Sequence, residues 1–92
     1  MTMTKRYKSV FDAIADTPEE ALNMKLRTVL MREIVDIIES NHWTQKEAAK
    51  HLGVTQPRIS DLQRGKLSLF SLDTLVNMVA ATGGSIDMKV AK

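Results

Sequence analysis

Between Leu22 and Ile38 apolar side chains recur at helical spacing. Leu22, Leu26, Val29, Leu30, Ile34, Ile37 and Ile38 fall three or four residues apart, as a core-facing stripe requires. Thr17-Pro18-Glu19-Glu20 supplies the start of that helix. Thr17 can cap it, Pro18 takes the first helical position, where its missing N–H costs nothing, and Glu20 can close a capping box. The helix is expected to run to about Ser40, with Asn41 as its C-terminal cap. Ahead of it, Val10, Phe11 and Ile14 offer one apolar helical turn to dock on the core, and residues 1–8 read as an arm.

The pattern then breaks into shorter units. Thr44 and Glu47 form a second capping box, opening a helix to Leu52 with Ala48, Ala49 and Leu52 inward. Small residues suit two helices that cross steeply over a short turn. Gly53 supplies a permissive backbone for the turn and Val54 its buried plug. Thr55 caps the next helix, which ends near Arg64 and Gly65. Because Pro57 has no N–H, the Thr55 hydroxyl should take the N–H of Arg58. Ser71 caps a last helix with Leu72, Leu75, Val76 and Val79 inward, and Phe70 can staple onto Leu75. Gly83-Gly84 ends it. Ser85 to Val90 alternates, with Ile86, Met88 and Val90 on one side and Asp87 and Lys89 on the other. That is a strand pattern. A lone strand needs a partner for its backbone groups. Arg6 to Val10 is a weak candidate within the chain. The simplest solution is an antiparallel pairing of Ile86, Met88 and Val90 with the same strand of a second subunit, a frayed tail being the alternative.

Ninety-two residues suit one small domain: an arm and short helix over 1–16, a helical core over 17–82 and a strand over 85–90. Cysteine is absent, which excludes disulfides and thiolate metal sites, and no cofactor or metal is expected. No apolar run approaches the roughly 18 residues of a membrane span. The N-terminus is basic without an apolar signal region, so the expected location is the cytoplasm. Trp43 reads as a core anchor, and Met24, Met31, Met78 and Met88 as packing residues. Net charge is only +2, but its distribution is uneven. Lys5, Arg6 and Lys8 make the arm basic. Residues 9–40 hold seven acidic and three basic side chains, and residues 41–66 hold five basic against two acidic. Positive charge on the two short helices suits a localised phosphate contact.

On a helix advancing 100° per residue, Ile59 and Leu62 point to the core. Gln56, Pro57, Ser60, Asp61 and Arg64 cluster opposite. All but Pro57 can hydrogen-bond, and such a free face suits base readout in a DNA major groove. Gln56 can offer a donor–acceptor pair to adenine, and the Pro57 ring can meet a thymine methyl. Asp61 can accept from a cytosine amino group, or pair with Arg58 or Arg64 three residues away and orient them. An acid near phosphates favours the orienting role. Arg64 can reach guanine or phosphate. Arg58, toward the flank, suits phosphate, as does Lys66 beyond Gly65. Gln45, in the first turn of the preceding helix, can meet the DNA backbone with its amide.

Gln45, Glu47-Ala48-Ala49, Leu52-Gly53-Val54, Gln56, Ile59-Ser60, Leu62 and Gly65-Lys66 together resemble the helix-turn-helix of the XRE family of phage and bacterial repressors. The resemblance spans roughly residues 29–82. It implies a mainly α, five-helix lambda-repressor-like domain followed here by the short C-terminal strand. It places that family's backbone-contacting glutamine on Gln45, and its base-reading positions on Gln56, Pro57 and Asp61. Pro57 departs from the polar residue usual there. The Val10-Phe11 segment, the acidic helix start, Leu69-Phe70-Ser71-Leu72 and the Gly-Gly strand extend the likeness to HigA-type antitoxins. That likeness implies a homodimer that binds an inverted-repeat operator, represses its own operon and neutralises a RelE/HigB-like toxin. The alternative is a stand-alone XRE regulator, phage-type or chromosomal, with no toxin. An enzyme is not expected. His42 and His51 are the only histidines, Ser60, Asp61 and His51 offer no triad argument, and no glycine-rich phosphate loop is present.

Overall fold

The computed structural model describes residues 17–91. The arm and the helical turn read at Val10–Ile14 lie outside the described residues. Four α-helices follow: α1 (Pro18–Ser40), α2 (Gln45–Leu52), α3 (Gln56–Gln63) and α4 (Leu72–Ala81), with a short 3₁₀ turn at Leu67–Leu69. Each helix starts where a capping hydroxyl stands. Thr17 accepts the Glu20 N–H at 3.1 Å, and Glu20 reaches back to the Thr17 hydroxyl at 3.4 Å. Ser71 accepts from the Thr74 N–H at 3.2 Å. Such a side-chain acceptor satisfies one of the N–H groups that a helix start leaves without a partner.

Helix α1 stops at Asn41, whose amide donates to the Ile37 carbonyl at 2.8 Å. The chain then turns through His42, which holds a left-handed φ of 55°. Between α2 and α3, Gly53 sits at φ 70°, and the N–H groups of Gly53 and Val54 both return to the Ala49 carbonyl. That pattern ends a helix and redirects the chain within two residues. A side chain at position 53 would have to adopt the left-handed conformation, which is strained for any residue carrying a Cβ.

The core gathers Met31, Ile34 and Ile38 of α1, Ala48 and Leu52 of α2, Ile59 and Leu62 of α3, and Phe70, Leu75, Met78 and Val79 around the start and inner face of α4. Helix α1 packs against α4, and α2 against α3. Ala48 is fully buried, which lets α2 and α3 approach. Trp43, Ala49 and Val54 pack on this core while half-buried, as an anchor, a small contact and a plug should.

The sequence expectation is corrected at three places. Leu22 and Val29 were expected in the core stripe of α1 but are 59% and 50% exposed. The buried arc is instead Ala21, Met31, Ile34 and Ile38, because α4 and the 3₁₀ turn cover only that side. Val76 of α4 and Met88 likewise stand exposed, whereas Met31 and Met78 are buried. Residues 84–91 form no strand, and Met88 and Val90 are 67% and 82% exposed. The alternation at 85–90 has no neighbouring strand among the described residues, so the backbone groups of this segment have no ladder to join.

Candidate nucleic-acid interface

Helices α2 and α3 form a rigid corner. The Thr44 hydroxyl accepts the Glu47 N–H at 3.1 Å, and the Glu47 carboxylate accepts the Thr44 N–H at 2.9 Å. The Thr44 backbone N–H, first of all, holds the Glu47 carboxyl below its ordinary range. Desolvation opposes that shift, while the Thr44 hydroxyl and the charge of His51 reinforce it. At α3 the Thr55 hydroxyl accepts the Arg58 N–H at 3.4 Å, the bond that Pro57 requires. Ile59 and Leu62 are buried, so the inner side of α3 is fixed.

On the outer side Gln56, Pro57 and Arg64 are exposed, and Ser60 and Asp61 are half-buried. Asp61 binds the Arg64 guanidinium at 2.9 Å and faces the Lys66 ammonium at 3.7 Å. In the free chain one carboxylate thus pairs with two cations at the C-terminal end of α3, and not with Arg58. Gln45 donates its side-chain N–H to the Gln63 amide oxygen at 2.9 Å, tying the first turn of α2 to the last turn of α3. Gln45, Gln56, Arg64 and Lys66 all remain exposed.

Arg58 differs from the expectation. Its guanidinium lies over the Phe70 ring at 4.5 Å, and Nη1 donates to the Leu69 carbonyl at 3.0 Å. Arg58 therefore turns back onto the connector between α3 and α4. A planar guanidinium can stack on an aromatic ring and donate at its edge together. An aromatic ring beside a backbone carbonyl that lacks a helical partner offers it both.

A second arginine holds the same connector from the other side. Arg27 of α1 donates through Nη1 to the carbonyls of Leu67 at 3.0 Å and Phe70 at 3.3 Å, and through Nε to Asn23 at 2.7 Å. Sequence reasoning passed over it. Its signal was position: on the helical wheel of α1, Arg27 falls between Ile34 and Ile38, inside the buried arc. A charge in that place needs carbonyl or carboxylate partners. His51, the penultimate residue of α2, stacks on Trp43 with ring centroids 4.0 Å apart and planes 8° apart. The histidine thus clamps the loop before α2 instead of standing free.

Among the described residues no three His, Asp or Glu side chains converge as a metal site, and no helix is long and apolar enough to cross a membrane. A family model described as a helix-turn-helix domain matches residues 13–91. No curated protein sequence matches the chain.

Proposed function

The chain belongs to a helix-turn-helix domain family, and from that premise we propose that it is a sequence-specific DNA-binding repressor acting as a homodimer on an inverted-repeat operator. The observation that carries this reading is the two-sided build of α3. Its inner side is locked by Ile59 and Leu62, and its outer side presents Gln56, Pro57, Ser60, Asp61 and Arg64. In this reading Gln56, at the first position of α3, reads a base edge, with adenine the best chemical match. Gln45, Thr55 and the first turns of α2 and α3 meet phosphates. Arg64 and Lys66, aligned by Asp61, meet the phosphates or a guanine at the far end.

One α3 spans too few base pairs for tight selection. A second copy would place another α3 about 34 Å away in the next major groove. The alternation of Ile86, Met88 and Val90 supports pairing of the tails between subunits. Each tail would then gain the ladder that the described residues of one chain do not provide. The test is a binding titration on the DNA upstream of the chain's own gene. A single inverted repeat should be protected, with affinity falling steeply as salt rises. Equal affinity for unrelated duplexes would sink the reading.

The finer proposal is an antitoxin that represses its own operon and neutralises a RelE/HigB-like toxin. The acidic character of α1, with Glu19, Glu20, Glu33, Asp36 and Glu39 exposed, supports a basic protein partner. Co-expression with a small basic neighbour gene decides it. A stable complex is expected, and failure of the two to co-purify would leave the stand-alone regulator.

A further inference from the structure

One polar bond between α2 and α3 lies at the surface. Gln45 Nε2 donates to Gln63 Oε1 at 2.9 Å, and both side chains are exposed. Two exposed amides bound to each other add little to folding stability, because water serves each as well. Each amide carries two N–H donors and one acceptor oxygen. Among the described residues neither makes another side-chain bond. Gln63 therefore spends its oxygen on Gln45 and keeps its whole NH₂ group for a ligand.

Resting on the DNA-binding reading above, we propose that Gln63 contacts DNA, and that Gln45 and Gln63 together grip one backbone phosphate. The first support is proximity. The two amides are 2.9 Å apart, so a phosphate oxygen bound by Gln45 lies close to Gln63 as well. The second is the side of the helix. Seven residues turn a helix by about 700°, so Gln56 and Gln63 point within about 20° of each other. They stand about 10 Å apart along the axis, against a major groove about 12 Å wide. With Gln56 at a base edge, Gln63 stands toward the groove wall, where the phosphates are.

The third support is chemistry. Bidentate reading of adenine by an amide uses its oxygen and its nitrogen together. The Gln63 oxygen is already taken, whereas a phosphate oxygen only accepts and needs donors alone. The contact is also neutral, unlike those of Arg64 and Lys66 at the same end of α3. Salt dependence follows the phosphates that Lys and Arg neutralise, and Gln63 neutralises none.

The test titrates the full-length chain against the protected duplex from upstream of its own gene. That duplex is also made with a single methylphosphonate at each backbone position in turn. Gln63 is exposed, so its variants should melt as the parent does. Gln63→Ala should weaken binding to the unmodified duplex about tenfold, as for a lost hydrogen bond to a charged group. The slope of log affinity against log salt should stay the same. At one position per half-site, the methylphosphonate should cost the parent about tenfold more than it costs Gln63→Ala. All other positions should cost both proteins alike. Gln63→Glu keeps an acceptor for Gln45 but turns a negative charge on the phosphate, and should bind more weakly than Gln63→Ala. Parent affinity in Gln63→Ala, recovery of parent affinity in Gln63→Glu, or one methylphosphonate profile shared by parent and Gln63→Ala would each overturn the contact. In those cases the parent still selects its operator, and the DNA-binding reading stands. A parent that prefers no duplex removes both.

Discussion

Two neighbouring residues on α3 separate reading from holding. Gln56 is exposed with no partner that the fold requires, so Gln56→Ala should leave stability within about 0.5 kcal/mol. Its loss should fall on discrimination between operators, by about 1–3 kcal/mol at one base pair. Arg58 stacks on Phe70 and binds the Leu69 carbonyl. Truncation to Ala removes a cation–π contact worth about 0.5–1 kcal/mol and a hydrogen bond worth about 1 kcal/mol. Arg58→Ala should therefore lower unfolding stability by about 1–2 kcal/mol and weaken all duplexes alike. Denaturant melts paired with competition binding on single-base operator variants distinguish the two. If Arg58→Ala kept full stability, the connector would not depend on it. Asp61 gives a third outcome at this scale. Asp61→Asn frees Arg64 and Lys66 and removes a negative charge, so binding to nonspecific duplex should rise while the operator preference shrinks. A titration against random-sequence DNA measures both.

At the scale of elements, the N-terminal caps were the most legible feature, because each rests on a hydroxyl at a fixed offset from an N–H. The reciprocal box closes at Thr44 and Glu47, whereas Glu20 meets the Thr17 hydroxyl and not its N–H. Thr17, Thr44, Thr55 and Ser71 all cap as their sequence contexts require. The Glu47 box also has a pH signature. The folded carboxyl titrates below its ordinary value near 4.5. The stability it adds is thus present above that value and is lost as pH falls through the lowered one. Glu47→Gln keeps an acceptor but not the charge. It should be less stable than the parent near neutral pH, and the gap should close on acidification below 4.5. Urea midpoints for both proteins across that range check the sign. What the sequence could not show is which of two apolar faces of α1 the fold buries. Periodicity assigned Leu22 and Val29 inward with Ile34 and Ile38, since all lie within one broad apolar arc. Only the placement of α4 and the 3₁₀ turn selects the side. The contacts of Arg58 were not legible for a related reason. Its sequence neighbours suggest a flank position, and nothing local announces that Phe70, twelve residues on, will lie beneath it.

At the scale of the whole molecule the described residues make a corner of α2 and α3 braced by α1 and α4, and a tail with no partner. The corner can be complete in one chain, because its inner contacts, from Ala48 and Leu52 to Ile59 and Leu62, all come from within. The tail cannot be complete in the same sense. Ile86, Met88 and Val90 alternate with polar residues in the sequence, and Met88 and Val90 are more than half exposed. An alternating apolar edge left open pairs with another strand when one is available. The proposed dimer turns that exposure into a requirement. A chain ending at Gly84 keeps all four helices and every cap, so its melting as a monomer should be nearly unchanged. Its sedimentation should shift from dimer to monomer. Affinity for an inverted repeat should fall toward that for a half-site, while preference for the half-site sequence survives because α3 is untouched. Sedimentation velocity and competition binding on full and half operators test these together. A truncated chain that still sediments as a dimer would move the subunit contact elsewhere, with the exposed flank of α4 at Val76 the next surface to examine.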